Sequence, residues 1–72
     1  LKAMDNNGLL RRTLQVWFRH NVQPLATSKA MFIHRNTLEY RLNRISELTG
    51  LDLGSFDDRL LLYIALQLDE QR

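Results

Sequence analysis

Polar side chains that can read nucleic acid bases recur at helical spacing between residues 35 and 43. An asparagine amide can pair bidentately with adenine, an arginine guanidinium with guanine, and a carboxylate can accept from cytosine N4. When Leu38 is turned toward a core at 100° per residue, these side chains point outward or flank the outward stripe. The pattern predicts base contacts in a DNA major groove from Arg35, Asn36, Glu39, Tyr40 and Asn43.

A second set of residues is suited to the phosphate backbone. Hydroxyl groups, cationic side chains and the open N–H groups at a helix N-terminus all bind phosphate. We expect such contacts from Thr27, Lys29, His34, Thr37, Arg41 and Arg44. Arg41 lies near the edge of the apolar stripe, so a packing or ion-pair role is an equally good interpretation of that residue.

Several of these residues also have purely structural interpretations. His34 or Asn36 could cap the helix that follows, and for His34 a cap and a phosphate contact are compatible. Glu39 could orient Arg35, four residues earlier, and Tyr40 could be an ordinary surface aromatic. For Asn36 we favour a base contact, because it projects opposite the apolar stripe.

Four helices would position these side chains. Apolar residues at helical spacing predict helices over 9–20, 24–31, 35–49 and 55–68. Pro24 suits a first helical turn, Gly50 suits the position just past a helix, and Ser55 with Asp58 resembles a capping box. A short helix, the turn 32–34 and a longer amphipathic helix form a helix-turn-helix outline. The predicted fold class is all-α, a small helical bundle with a helix-turn-helix.

The domain boundaries follow from turn-forming residues near the start of the chain. Residues 1–4 are typical of the end of a preceding helix, and Asp5-Asn6-Asn7-Gly8 is turn material. We assign 1–8 to the tail of a preceding segment or a linker, and 9–72 to the helix-turn-helix domain. The chain does not begin with methionine, and we take it for a fragment of a longer protein.

The fourth helix is apolar on most of its circumference, which predicts burial on more than one side. We assign its core face to Leu60, Leu61, Ile64 and Leu68. Leu62 and Leu66 then form a second strip beside Ala65, which would meet the first helix, a preceding part of the protein or another copy. Domains of this outline usually act as dimers on paired half-sites, which favours a homo-oligomer for the full-length protein.

Composition excludes several classes of function. The chain has 72 residues and no cysteine, so it is one thin-cored domain without disulfides or thiolate metal sites. No apolar run approaches the roughly 20 residues that span a bilayer. A Gly-rich phosphate loop and the HExxH motif are both missing, and adjacent Asp57 and Asp58 cannot flank one substrate bond. We expect no enzyme, no cofactor, no metal and no membrane partner, and a cytoplasmic location.

Charge is distributed unevenly along the chain, although its net value is only +2. Residues 11–44 carry seven basic side chains against Glu39 alone, whereas residues 45–72 carry six acidic ones against Arg59 and Arg72. A basic middle suits a polyanion. A solvated basic face without a partner explains the same charges equally well.

The stretch IHRNTLEYRL over residues 33–42 resembles the C-terminal helix-turn-helix of PucR-type bacterial regulators. The pattern continues with RI at 44–45 and LTG at 48–50, and the resemblance covers roughly residues 9–68. It implies sequence-specific binding of double-stranded DNA by the C-terminal domain of a transcription regulator. An effector would bind a separate N-terminal domain. Phe32 departs from many other helix-turn-helix proteins, which have glycine in the turn, and Ser28 stands where the family usually has alanine.

Within that family, HNVQPLATSKA over 20–30 and FDDRLLLY over 56–63 resemble regulators of sugar-diacid use. This implies an activator of genes for the uptake and use of diacids such as glucarate and galactarate. The alternative is a helical interaction or dimerisation module without direct DNA contact, which the apolar fourth helix and modest net charge favour. RNA binding is the weaker interpretation, because no sheet with stacking aromatics is predicted.

Overall fold

The computed structural model describes residues 8–70, which form four α-helices and no strand. These are α1 (Leu9–Arg19), α2 (Pro24–Met31), α3 (Arg35–Thr49) and α4 (Phe56–Glu70). The first helix packs against each of the other three, and α2 packs against α3. The all-α fold class is therefore confirmed. Of the predicted tail or linker 1–8, residues 1–7 lie outside the described residues, and Gly8 is the N-cap of α1.

Local sequence signals account for most of the helix ends. Pro24 begins α2, where its missing N–H is not needed. Gly50 ends α3 in the left-handed conformation (φ 72°), and its N–H donates to the carbonyl of Ser46. The first helix ends at Arg19, one residue earlier than predicted.

The capping box predicted at the start of α4 forms through one of its two hydrogen bonds. The Ser55 hydroxyl accepts from the N–H of Asp58 at 3.5 Å. The Asp58 carboxylate accepts from the N–H of Asp52 at 2.7 Å, while the N–H of Ser55 donates to the Asp52 carbonyl. The N–H that Asp58 would bond in a full capping box is thus already paired, and the carboxylate ties α4 to the loop after α3.

One apolar cluster joins three of the helices. It is formed by Leu14 and Trp17 of α1, Ile45 of α3, and Leu62 and Leu66 of α4. Partly buried apolar residues surround it: Leu10, Phe18, Val22, Leu42, Leu51 and Leu53. Three buried hydroxyls donate to carbonyls of the preceding turn: those of Thr13 and Ser28 within their own helices, and that of Thr27 to Gln23, the N-cap residue of α2.

The rotation predicted for α4 is wrong. Leu62 and Leu66 are each 3% exposed and belong to the core. The residues assigned to the core lie on the surface instead: Leu60, Leu61, Ile64 and Leu68. Because α4 is apolar on most sides, its periodicity could not determine which side is buried; contacts with the rest of the bundle do.

Three side-chain contacts with α1 accompany the observed rotation of α4, the first of which places the Arg59 guanidinium over the Trp17 ring, 5.6 Å from its centroid. The rings of Tyr63 and Phe18 pack in a T-shaped arrangement at a centroid distance of 5.2 Å. Near the C-terminal end of α4, Asp69 pairs with Arg11 at 3.0 Å, and both side chains are partly buried. These contacts, together with Leu62 and Leu66, hold one side of α4 against α1.

We expect Leu62→Ala to lower the free energy of unfolding by about 2–5 kcal/mol, because it leaves a cavity in the core. Leu61→Ala should change it by only about 0.5 kcal/mol, because the Leu61 side chain is 56% exposed. Chemical denaturation of both variants measures the two values. Equal losses would mean that the rotation of α4 differs from the one described.

Candidate nucleic-acid interface

The first turn of α3 is exposed and begins at a histidine cap. His34 has extended backbone, and its Nδ1 accepts from the N–H of Asn36 at 3.0 Å. This bond satisfies one of the open N–H groups of the helix. Of the two residues considered as caps, His34 is the one that caps α3. The cap uses the backbone of Asn36 and not its amide side chain.

The predicted base-contacting residues lie together on the exposed side of α3. Opposite them, Leu38 and Ile45 are completely buried, and Leu42 and Leu48 are half-buried. The side chain of Tyr40 is 69% exposed. All five predicted residues are exposed: Arg35, Asn36, Glu39, Tyr40 and Asn43. The bundle therefore holds α3 by its apolar side and presents a polar side outward.

The predicted phosphate contacts divide by exposure. Four of them are exposed, Lys29, His34, Thr37 and Arg44, while Arg41 is half-buried. Arg44 pairs with Glu47 on the surface at 3.2 Å. An exposed pair of this kind contributes little to stability, so the guanidinium can exchange its partner for a phosphate at low cost.

Thr27 is the one predicted phosphate contact that the structure contradicts. It is fully buried, and its hydroxyl donates to the Gln23 carbonyl at 2.7 Å. A side chain in this position cannot reach a phosphate on the surface. The sequence was misleading here because the short helix α2 has no periodic apolar pattern that distinguishes its buried side from its exposed side.

The turn between α2 and α3 is a Schellman-type helix end with a phenylalanine in the left-handed position. Phe32 has φ 57° and ψ 42°. Its N–H donates to the Lys29 carbonyl at 3.2 Å, and the N–H of Ile33 donates to the Ser28 carbonyl at 3.1 Å. Left-handed backbone costs a residue with a side chain roughly 1–2 kcal/mol. Ser28, whose carbonyl accepts one of these hydrogen bonds, is itself buried.

The sequence shows Phe32 where many other helix-turn-helix proteins have glycine and PucR-type domains commonly have a bulky residue, but the sequence alone did not identify it as a surface feature. Its side chain is 95% exposed. The signal that could have found it is an aromatic residue at a turn position that requires positive φ. Phe32 lies two residues before the His34 cap and directly precedes the predicted interface.

Other kinds of site find no support in residues 8–70. No group of three His, Asp or Glu side chains in that range could hold a metal ion. No helix described there is long and apolar enough to cross a membrane.

The short α2, the tight turn and the outward-facing α3 define a helix-turn-helix module. Residues 10–68 match the family model described as the PucR C-terminal helix-turn-helix domain. The chain belongs to this family, as its sequence indicated.

Three relatives illustrate the range of the family. The chain is 90% identical over its whole length to the carbohydrate diacid regulator of Escherichia coli K12, of which it covers 19%. It is 36% identical to the proline-responsive transcriptional activator PutR of Bacillus subtilis, covering 18% of that protein with the whole chain. Over 82% of the chain it is 41% identical to the transcriptional activator PmfR of Paenarthrobacter nicotinovorans, covering 13% of it. No solved structure matches the chain significantly.

Proposed function

We propose that this domain binds duplex DNA in a sequence-specific manner, with α3 in the major groove. The observation that carries the proposal is the polar, exposed first turn of α3 on a helix whose opposite side is buried at Leu38 and Ile45. A major groove about 12 Å wide admits one such helix. Family membership and relatives named as transcription regulators support the same function.

The exposed side chains divide into two roles in this proposal. Arg35, Asn36, Glu39, Tyr40 and Asn43 face the base edges. Lys29, His34, Thr37 and Arg44, with Arg41 at the margin, contact phosphates and set the register of the helix. The His34 cap supports the base-reading role of Asn36, because it leaves the Asn36 amide outside the cap.

For the full-length protein, we propose a transcription activator whose effector binds a separate domain. The chain covers about a fifth or less of these relatives. Two of them are named for different effectors, a carbohydrate diacid and proline, although they share this module. Effector recognition therefore belongs outside the matched segment. The 90% identity favours a sugar diacid such as glucarate or galactarate, with the protein acting in the cytoplasm by binding and not by catalysis.

A second role is self-association through the exposed apolar side of α4, which we define as Leu60, Leu61, Ile64 and Leu68. All four are between 46% and 63% exposed, and contiguous apolar surface often marks an interaction site. A second copy of the domain is the proposed occupant, because helix-turn-helix domains usually bind paired half-sites as dimers. This role adds to DNA binding and does not need the α3 surface.

We expect the affinity of the domain for a duplex selected from random sequences to fall steeply with salt. Each phosphate neutralised by a cationic side chain contributes about −0.9 to the slope of log affinity against log salt. Fluorescence anisotropy at several salt concentrations measures the slope. Failure to select any duplex, or an affinity independent of salt, would contradict the DNA-binding proposal.

We expect Asn36→Ala and Lys29→Ala to weaken DNA binding in different ways. Asn36→Ala should relax the preference at one base position, at a cost of about 1–3 kcal/mol. Arg35→Ala should act similarly at another position. Lys29→Ala should weaken binding to all sequences alike and reduce the salt slope by about one. A uniform loss from Asn36→Ala, measured across a panel of duplexes, would assign Asn36 to the phosphate backbone.

We expect the domain to self-associate weakly at high concentration, and the double variant Leu61→Glu, Ile64→Glu to remain folded but monomeric. Two carboxylates on the exposed side of α4 would repel those of a second copy. Sedimentation measures the association, and Leu9→Glu, exposed on α1, is the control that should not change it. Unchanged association of the double variant would place the contact elsewhere.

A further inference from the structure

We infer that Phe32 is a further DNA contact, whose ring packs against apolar surface of the duplex beside the first turn of α3. Deoxyribose rings and thymine methyl groups provide such surface. The inference rests on the proposed function and extends it to a residue outside the polar set. It adds an apolar contact, at the turn, to an interface otherwise made of hydrogen bonds and charges.

The backbone of Phe32 supports a functional role because its conformation opposes its residue type. A φ of 57° is natural for glycine and tolerable for asparagine, but it is unfavourable for a bulky side chain. Strained residues persist where something else selects for the side chain, and they cluster at functional sites. Glycine would make the same Schellman-type turn without strain.

The two other non-glycine residues with positive φ show what usually offsets this strain. Asn21 (φ 57°) is of a type that tolerates the conformation. Val22 (φ 55°) is β-branched and strained, but its side chain packs against the core cluster. Phe32 has neither compensation in the described structure, because it is aromatic and 95% exposed.

The exposure of Phe32 means that its ring contributes little to the stability of the fold. An aromatic ring left in water gains none of the burial energy that such side chains normally supply. A partner that covers the ring would recover that energy on binding. The side chain is therefore better suited to a complex than to the isolated domain.

The position of Phe32 identifies DNA as the partner. It lies between Lys29, an exposed cation near the end of α2, and the exposed His34 and Arg35 that begin α3. These flanking residues are all assigned to the DNA-facing surface. A ring between a phosphate-contacting residue and a base-contacting residue is next to the deoxyribose rings, which link phosphates to bases, and to the thymine methyl groups on the base edges.

The test is Phe32→Gly, which should move stability and affinity in opposite directions. Glycine relieves the strained backbone, so the thermal midpoint should rise by about 4 °C. Loss of the ring should lower affinity for the selected duplex by about fivefold or more, the effect of leaving roughly half of a phenylalanine unburied. The salt slope should stay constant, because no charge is removed.

Three further measurements make the outcome decisive. Phe32→Asn, which also tolerates positive φ, should lose affinity as Phe32→Gly does. Phe56→Ala removes another exposed phenylalanine, at the start of α4, and should leave affinity unchanged. Replacing thymine by uracil in the duplex distinguishes the two apolar surfaces. If the replacement weakens binding by the unchanged protein but not by Phe32→Gly, the ring contacts the thymine methyl groups. If it does not weaken binding by the unchanged protein, the ring contacts deoxyribose.

Equal affinity of Phe32→Gly and the unchanged protein would overturn the inference and leave the proposed function intact. Equal affinity combined with lost transcription activation would also overturn it, and would assign the ring to a protein partner. If the unchanged protein binds no selected duplex, the proposed function fails first and the inference fails with it.

Discussion

The burial of Leu38 and Ile45 is the constraint on which the rest of the interface depends. Both side chains are fully buried, and Ile45 joins Leu14 and Trp17 in the core. Because helical residues are separated by 100°, fixing these two side chains fixes the direction of every other side chain on α3. The exposed polar side of the helix is thus a consequence of apolar packing at two positions that are seven residues apart. Without that anchor, the same polar residues would have no defined orientation toward a groove.

The N-terminal end of α3 is fixed by backbone hydrogen bonds as well as by packing. The His34 side chain bonds the N–H of Asn36, and the N–H of Ile33 bonds the last turn of α2. The two helices and the turn between them therefore form one hydrogen-bonded unit. A residue that reads a base must be held within a fraction of an ångström, and this unit supplies that rigidity at the turn where the candidates begin.

Structural features that local sequence signals determine could be predicted from the sequence. Features that depend on how chemically similar residues pack against other helices could not. The helices and the rotation of α3 were predictable, because Pro24, Gly50 and a single apolar stripe define them. The rotation of α4 was not, because Leu61 and Leu62 are chemically identical and only contact with the rest of the bundle separates them. The burial of Thr27 depends on its neighbours in the same way. The choice between His34 and Asn36 as cap needed the geometry of one hydrogen bond.

The buried hydroxyls have a consequence for how adaptable the module is. Thr13, Thr27 and Ser28 each donate to a carbonyl of their own helix or of its N-cap residue, so none of the three ties one helix to another. The contacts between helices at these positions do not depend on the three hydrogen bonds. A small change in crossing angle would break none of these hydrogen bonds. The module can therefore lose any one of these hydroxyls without losing a hydrogen bond between two helices.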